Sequence, residues 1–392
     1  MRITRRRTKK TETRTDSDSV PIDIVIEIVK RLPLKDVSRF LLVSKLWSEI
    51  IRSPYFIRSF PFLFSSIQPY LLFALNSLDK DKGHHKWFFY LSSSTFSAGK
   101  SVLSSLSRTN CQIPNRRSCD IHYVSGLICF GYGQQQLITN PRTGKSIYLP
   151  KVKSRSKIIQ SFFGYDPVYG QYKVLCMSER MNDYLNVPSS EHQVFTLGGV
   201  QKVEQLWRMI ECNIHHRPKT NSVCMDGVLY YGAFTGVDML EWCLMRFDVR
   251  TEKLDLVSRL NESSIQCYRP GHSPSLIKYQ GKVTLAFETS LHTFELWVME
   301  DAEKWSKIRF SIRHSMHLFG QDDDAFLITG NIHTGEIIFV PYDCDARFGM
   351  THVVYYDLKT NRLRFRTVAF DLGTLFPQIS VMVPFSIIYI KK

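Results

Sequence analysis

Asp226-Gly227-Val228-Leu229-Tyr230-Tyr231 and Asp248-Val249-Arg250-Thr251-Glu252-Lys253 decide the fold. The first stretch is a glycine turn feeding an aromatic, β-branched run. The second is a hairpin turn whose leading Asp can bond its own backbone. Each has counterparts along the chain. Glycine turns that lead into apolar runs stand at Gly126, Gly170, Gly227, Gly281 and Gly335, in steps of 44, 57, 54 and 54 residues. The hairpin turn returns at Asn140-Pro141-Arg142-Thr143-Gly144-Lys145 and Asp357-Leu358-Lys359-Thr360-Asn361-Arg362. Divergent versions sit at Leu197-Gly198-Gly199 and Met299-Glu300-Asp301, and these five positions lie 57, 51, 51 and 58 residues apart.

Two independent markers thus share one period of roughly 50 residues, the signature of a β-propeller with one four-stranded blade per repeat. Five repeats are visible between about 115 and 392. The run Trp87-Phe88-Phe89-Tyr90-Leu91 and its neighbours between 70 and 110 supply a sixth blade, with Ile379 to Ile390 as its closing strand. A set of antiparallel hairpins without a ring is the competing reading, because the blades lack a Trp-Asp signature and repeated Gly-Gly doublets.

Upstream the pattern is different. Ile24, Val25, Ile28, Val29 and Leu32 follow helical spacing after Pro21, a residue suited to a helix start. Pro33 ends that helix. Val37, Phe40, Leu41, Ser44, Trp47, Ile50 and Ile51 repeat the spacing, and Pro54 stops it. Such a unit of about 40 residues is too small to be robust alone, and its surplus apolar side chains imply a partner. Residues 1–19 carry seven basic and almost no apolar residues, so a disordered tail is expected there. Within it, Arg5-Arg6-Arg7-Thr8-Lys9-Lys10 suits nuclear import.

The chain of 392 residues has 51 Lys+Arg, 36 Asp+Glu and a net charge of +15. Residues 1–160 hold 27 basic and 10 acidic residues; residues 161–392 hold 24 and 26. The excess is regional, which argues against a protein built throughout to grip nucleic acid. No apolar stretch is long enough to span a membrane. Nine scattered cysteines without a Cys-x-x-Cys pair read as reduced thiols of the nucleus or cytoplasm.

Residues 20–51 resemble the F-box: Val20-Pro21-Ile22-Asp23 at the start, Arg31-Leu32-Pro33 at the break, Arg39-Phe40, then Val43-Ser44-Lys45-Leu46-Trp47. From about 110 to 370 the chain is similar to the plant F-box-associated interaction domain. Ser125-Gly126-Leu127-Ile128-Cys129, Asn140-Pro141-Arg142-Thr143-Gly144, Phe163-Gly164-Tyr165-Asp166-Pro167, Asp226-Gly227-Val228-Leu229-Tyr230 and Leu296-Trp297-Val298-Met299 carry that likeness. The resemblance implies a mainly β protein with a small α domain. It consists of a basic tail (1–19), a helical F-box (20–60) and a β-propeller-like interaction domain of about six blades (70–392).

The resemblance also implies a function. F-box proteins are substrate receptors of cullin-RING ubiquitin ligases. The F-box docks on a Skp-type adaptor tied to the cullin scaffold, and the second domain holds a target protein, here unidentified. Carried over by position, the adaptor-facing residues are Val20, Pro21, Ile24, Ile28, Leu32, Pro33, Val37 and Val43, with Phe40 and Trp47 packed inside the helical unit. No catalysis is expected from the chain. An F-box scaffold acting without the cullin stays open as the alternative.

Other constellations are weak. His215-His216 would face opposite sides of a strand, and His314 with His317 has no third ligand nearby. Asp322-Asp323-Asp324 and Asp343-x-Asp345 lack a calcium-loop pattern. No nucleophile elbow, Walker loop or dinucleotide fingerprint is present. No metal site and no cofactor are expected. Lys151-Val152-Lys153-Ser154-Arg155-Ser156-Lys157 reads as an exposed, solubilising loop, with attraction of an acidic target or nucleic acid as the alternative.

Overall fold

A computed structural model describes residues 39–40, 42–52, 70–79, 84–93, 100–103, 105–114, 120–179, 191–197, 206–260, 274–302, 304–313, 326–331, 335–341, 350–370 and 386–390. The chain divides into two units, Met1–Ile67 and Gln68–Lys392. In the first, the described residues include one helix, α1 (Lys45–Arg52). The tail 1–19, most of the helical stretch from 20, His314, His317 and both acidic clusters lie outside the described residues.

The second unit is built of strands. In chain order they are β1 (Tyr70–Asp79), β2 (His84–Ser93), β3 (Lys100–Leu103), β4 (Ser105–Pro114), β5 (Asp120–Val124), β6 (Leu127–Tyr132), β7 (Gln135–Thr139) and β8 (Ser146–Tyr148). There follow β9 (Lys157–Asp166), β10 (Gln171–Glu179), β11 (Glu191–Leu197), β12 (Arg208–Ile210), β13 (Arg217–Met225), β14 (Val228–Thr235), β15 (Glu241–Asp248) and β16 (Leu254–Leu260). The last are β17 (Ser275–Tyr279), β18 (Lys282–Ser290), β19 (Thr293–Met299), β20 (Trp305–Ser311), β21 (Phe326–Asn331), β22 (Ile337–Pro341), β23 (Met350–Asp357), β24 (Arg362–Phe370) and β25 (Ser386–Ile390).

These strands form six sheets, the blades of a β-propeller. Blades 2 to 5 are consecutive: β5–β8, β9–β12, β13–β16 and β17–β20. Blades 1 and 6 share the seam. β25, from the end of the chain, pairs antiparallel with β1 and completes the sheet β25-β1-β2-β4. β3 leaves that blade and adds a parallel fifth strand to β24 of blade 6. The C-terminal closure follows the sequence expectation. The exchange of β3 was not anticipated, because Lys-Ser-Val-Leu is too short to show a period.

The recurring glycines have one cause at three blades. Ser125-Gly126, Asp226-Gly227 and Gln280-Gly281 each form a two-residue hairpin with both residues at positive φ. That is the type I′ geometry, whose twist matches the flanking strands. The second marker also follows its chemistry. Asn140 Oδ1 accepts the Arg142 N–H at 2.9 Å, Asp248 Oδ1 the Arg250 N–H at 2.9 Å, and Asp357 Oδ1 the Lys359 N–H at 2.9 Å.

The core lies between blades, not inside one. Along β22, Ile337 and Phe339 pack toward blade 5, while Ile338 and Val340 pack toward blade 1. In β9, Phe162 joins the cluster with blade 4 and Phe163 the cluster with blade 2. Blades 1 and 2 meet through Trp87, whose ring lies 4.5 Å from Phe130 and whose Nε1–H donates to the Tyr132 hydroxyl at 2.7 Å. Strands buried on both faces read as unbroken apolar runs, which is why these segments lack alternation.

Gly144 seats blade 2 against blade 1. Its φ is +68°, and an added Cβ would lie 2.4 Å from the Arg108 carbonyl oxygen of β4. Gly281 has a φ of +81° with nothing within 4 Å of such a Cβ. Gly281→Ala should therefore cost only left-handed strain, about 1–2 kcal/mol. Gly144→Ala should cost about 3 kcal/mol, because β4 backbone must also move. Urea denaturation of the two variants checks this; equal losses would mean that the blade 1–blade 2 contact contributes nothing.

Candidate functional site

In the first unit, Ser44 starts α1. Its Oγ accepts the Trp47 N–H at 3.3 Å, the N-cap arrangement that satisfies an otherwise orphan donor. The preceding turn is closed by Leu42 N–H to the Arg39 carbonyl at 3.0 Å. The Phe40 and Trp47 rings lie 4.8 Å apart, and Ile50 and Ile51 are buried. Leu42, Val43 and Leu46 are 90%, 65% and 56% exposed. Three large apolar side chains left more than half bare within five residues make a patch that a partner would cover. Of the eight residues expected to face the adaptor, Val43 is exposed. Val20, Pro21, Ile24, Ile28, Leu32, Pro33 and Val37 lie outside the described residues.

The propeller has two unlike ends. Antiparallel pairing puts the first-to-second and third-to-fourth turns of each blade at one end. They are the turns of both recurring markers, short except for the β11–β12 connection at residues 198–207. The opposite end carries the second-to-third turns and the longer connections between blades. The β8–β9 connection crosses it, with Lys151, Lys153, Arg155 and Lys157 exposed. Val152 between them is 2% exposed and packs between blades 2 and 3. Ser154 donates to Glu191 Oε2 at 2.7 Å. The expected basic loop is therefore a strip tacked to the body of the propeller.

At the short-turn end, Glu252 receives Lys173 Nζ at 2.7 Å and a two-pronged contact from Arg208, one prong at 2.7 Å. Lys173 and Arg208 belong to blade 3 and Glu252 to the blade 4 turn, so the ions bridge two blades. Lys173 is 6% exposed and Arg208 is 53% exposed. Burial alone would raise the Glu252 pKa. Hydrogen bonds from Arg208 and Lys173, with their charges, outweigh it and hold the carboxyl below its ordinary range.

At the other end His192, Cys212 and His216 converge, with one donor atom from each inside a 4.8 Å span. His192 is the second residue of β11; Cys212 and His216 lie in the connection from β12 to β13. Cys212 Sγ is 3.9 Å from His216 Nδ1, and the two imidazole centroids are 5.3 Å apart. His216 Nδ1 also lies 2.9 Å from the Ile214 carbonyl oxygen, and its Nε2 is 2.8 Å from the Tyr231 hydroxyl. Burial lowers His192 to about 4, helped by His216; burial likewise lowers His216 and raises the Cys212 thiol. His215 is exposed and His216 buried, on opposite sides as the sequence suggested. Sequence reasoning missed the cluster because His192 lies 20 residues before Cys212. The only local signal was Cys-x-x-x-His.

Nearer the axis, His122 of blade 2 reaches Ser222 of blade 4 at 3.2 Å, so inner strands two blades apart touch. Burial lowers His122 to about 4, too, against the effect of its Ser161 backbone contact. Among the described residues, no helix is long and apolar enough to cross a membrane.

Comparison with known proteins now assigns both units. Residues 18–59 match the F-box domain family, and residues 70–377 match the F-box associated beta propeller domain family. The Arabidopsis thaliana F-box protein At1g31000 is 88% identical over 386 residues, covering 98% of this chain and 97% of its own. F-box protein At4g11590 of the same plant is 44% identical, with 88% and 85% covered; At5g15660 is 41% identical, with 92% and 82% covered. The chain belongs to the plant F-box proteins that carry an F-box associated β-propeller.

The Glu252 ion group generates a prediction about stability. Glu252→Ala leaves the buried Lys173 ammonium without its carboxylate, which should cost about 3 kcal/mol. The exposed Arg208 adds little to that loss. The folded-state carboxyl titrates below its unfolded value of about 4.3. Its stabilisation is therefore present above that pH and lost as pH falls through the lower folded value. Thermal unfolding between pH 7 and pH 3 should show a shallower acid loss for Glu252→Ala than for wild type; parallel curves would contradict the assignment.

Proposed function

We propose that this chain is the substrate-recognition subunit of a cullin-RING ubiquitin ligase. One observation carries the reading: a single chain joins an F-box to an F-box associated propeller. In this reading residues 1–19 are a basic tail, 20–60 the F-box and 70–392 the target-binding domain. The F-box takes a Skp-type adaptor through the set from Val20 to Val43, and the adaptor joins it to the cullin. The exposed Leu42, Val43 and Leu46 support an apolar docking face.

The chain makes and breaks no bonds in this role. It raises the local concentration of target lysines near a ubiquitin-conjugating enzyme and fixes their orientation. The end of the propeller with the long connections is the proposed target face, since loops on a rigid scaffold carry specificity. Its basic strip favours acidic targets. The run Arg5 to Lys10 favours entry to the nucleus, with the cytoplasm as the other compartment.

Pull-down of the adaptor from plant extract tests this, with the propeller fold of each variant checked by circular dichroism. Pro21→Ala combined with Leu32→Ala should reduce adaptor recovery by about tenfold or more. Undiminished recovery overturns the docking assignment. Recovery of adaptor without cullin would instead assign the chain as a scaffold outside the ligase.

A further inference from the structure

His192, Cys212 and His216 form a donor set that the receptor role does not use. We propose that these three side chains bind one zinc ion, which pins the β12–β13 connection to β11 at the long-connection end of the propeller. Two imidazoles and a thiol suit Zn²⁺; Ca²⁺ and Mg²⁺ take oxygen ligands. Bonds of about 2.3 Å to sulfur and 2.0–2.1 Å to nitrogen put the two donors about 3.6 Å apart across one tetrahedral ion. Cys212 Sγ and His216 Nδ1 stand 3.9 Å apart and all three donor atoms lie within 4.8 Å of one another, so side-chain adjustments of about 1 Å close the site.

The surroundings fit the same assignment. A ligating histidine usually donates its second ring N–H to an oxygen, which fixes the tautomer. His216 offers Nδ1 toward Cys212, and its Nε2 is 2.8 Å from the Tyr231 hydroxyl. Binding gives up the contact of Nδ1 with the Ile214 carbonyl and turns Tyr231 into the acceptor. The thiol of Cys212 releases one proton as the sulfur–zinc bond forms, so charge and protons balance. Three protein ligands leave a fourth position for water, and the half-buried Cys212 keeps that position near solvent.

The site lies between two blades. Cys212 packs on the cluster shared by blades 3 and 4, and His192 sits in blade 3. An ion there ties the connection that leads into β13 to the strand beside the preceding long connection.

The test uses the full chain, loaded with zinc and dialysed against buffer. Wild type should retain about one equivalent of zinc by mass spectrometry. Cys212→Ser and His216→Ala should lower zinc affinity by about 10–100-fold or more. His215→Ala, which alters an exposed neighbour outside the cluster, should leave it unchanged. Cobalt-loaded wild type should show a thiolate-to-cobalt charge-transfer band and tetrahedral d–d bands, a readout that stands even where a variant fails to fold. Zinc-free wild type, full zinc retention by Cys212→Ser, or a cobalt spectrum without the thiolate band would each overturn the proposal. Failure of adaptor pull-down would leave these results intact, which keeps this inference separable from the receptor reading.

Discussion

Each blade is a sheet with two apolar faces, and that constraint governs the rest of the molecule. An ordinary antiparallel sheet hides one face and wets the other. Here Ile337, Ile338, Phe339 and Val340 are all fully buried, because successive residues serve different neighbouring blades. A linear stack of such sheets would leave a bare face at each end. A ring has no ends. The seam between blades 1 and 6 is therefore where stability is decided, and the chain spends both of its distant segments there. β25 crosses to β1, and β3 crosses to β24. Pairing Tyr70 with Ile390 closes a loop that is nearly the whole propeller. Loop-closure entropy grows only slowly with length, so the cost falls on folding rate more than on stability.

The period of the propeller was legible because it is written in turn chemistry. A type I′ hairpin needs positive φ at both central residues, and glycine at the second position leaves a visible mark. Asp248 and Asp357 likewise announce turns through oxygens that accept backbone N–H groups two residues on. What could not be read was which blade each side chain serves. Phe162 and Phe163 are adjacent, equally apolar and equally buried, yet they belong to different interfaces. With no polar face, period-2 alternation vanishes and face assignment vanishes with it. The excursion of β3 left no trace for the same kind of reason, since four residues cannot carry a pattern. His192 was invisible beside Cys212 because only the β11–β12 pairing brings their segments together, with His192 opposite Ile210.

Charge divides by location as well as by sequence. The lopsided basic excess of the first 160 residues includes Lys151, Lys153, Arg155 and Lys157, exposed where the longer connections gather. The second half of the chain is nearly neutral, and some of its charges are internal ties. Lys173 is buried against Glu252, a pair whose desolvation is costly unless the geometry is good. It accepts that cost at an inter-blade contact, where a second hydrogen bond from Arg208 satisfies the carboxylate. The exposed cations make no such commitment. Rim charges of this kind steer encounter and discriminate among partners more than they add affinity.

A receptor needs rigidity and variability in the same body, and the two ends of the propeller supply one each. At the short-turn end, I′ hairpins and Asp-capped turns fix backbone geometry within a few residues, and the Lys173–Glu252–Arg208 group locks blade to blade. Sequence freedom is reduced at the described turns there, because Ser125-Gly126, Asp226-Gly227 and Gln280-Gly281 are specified by φ and the turns at Asn140, Asp248 and Asp357 by a side-chain oxygen. At the opposite end the connections between blades run longer, while Gly133, Gly236, Met239 and His292 hold positive φ in the second-to-third turns beside them. The connections can differ between relatives without disturbing the stacked faces beneath them, since loop length costs little free energy. Longer connections also lose precision, and precision has to be restored locally. Val152, buried beneath the basic strip, does this by packing. His216 does it by polar contacts, through Ile214 and Tyr231. Two connections, one anchored by an apolar side chain and one by an imidazole, show the same solution reached with different chemistry: a loop free in sequence along its length and fixed at single buried residues.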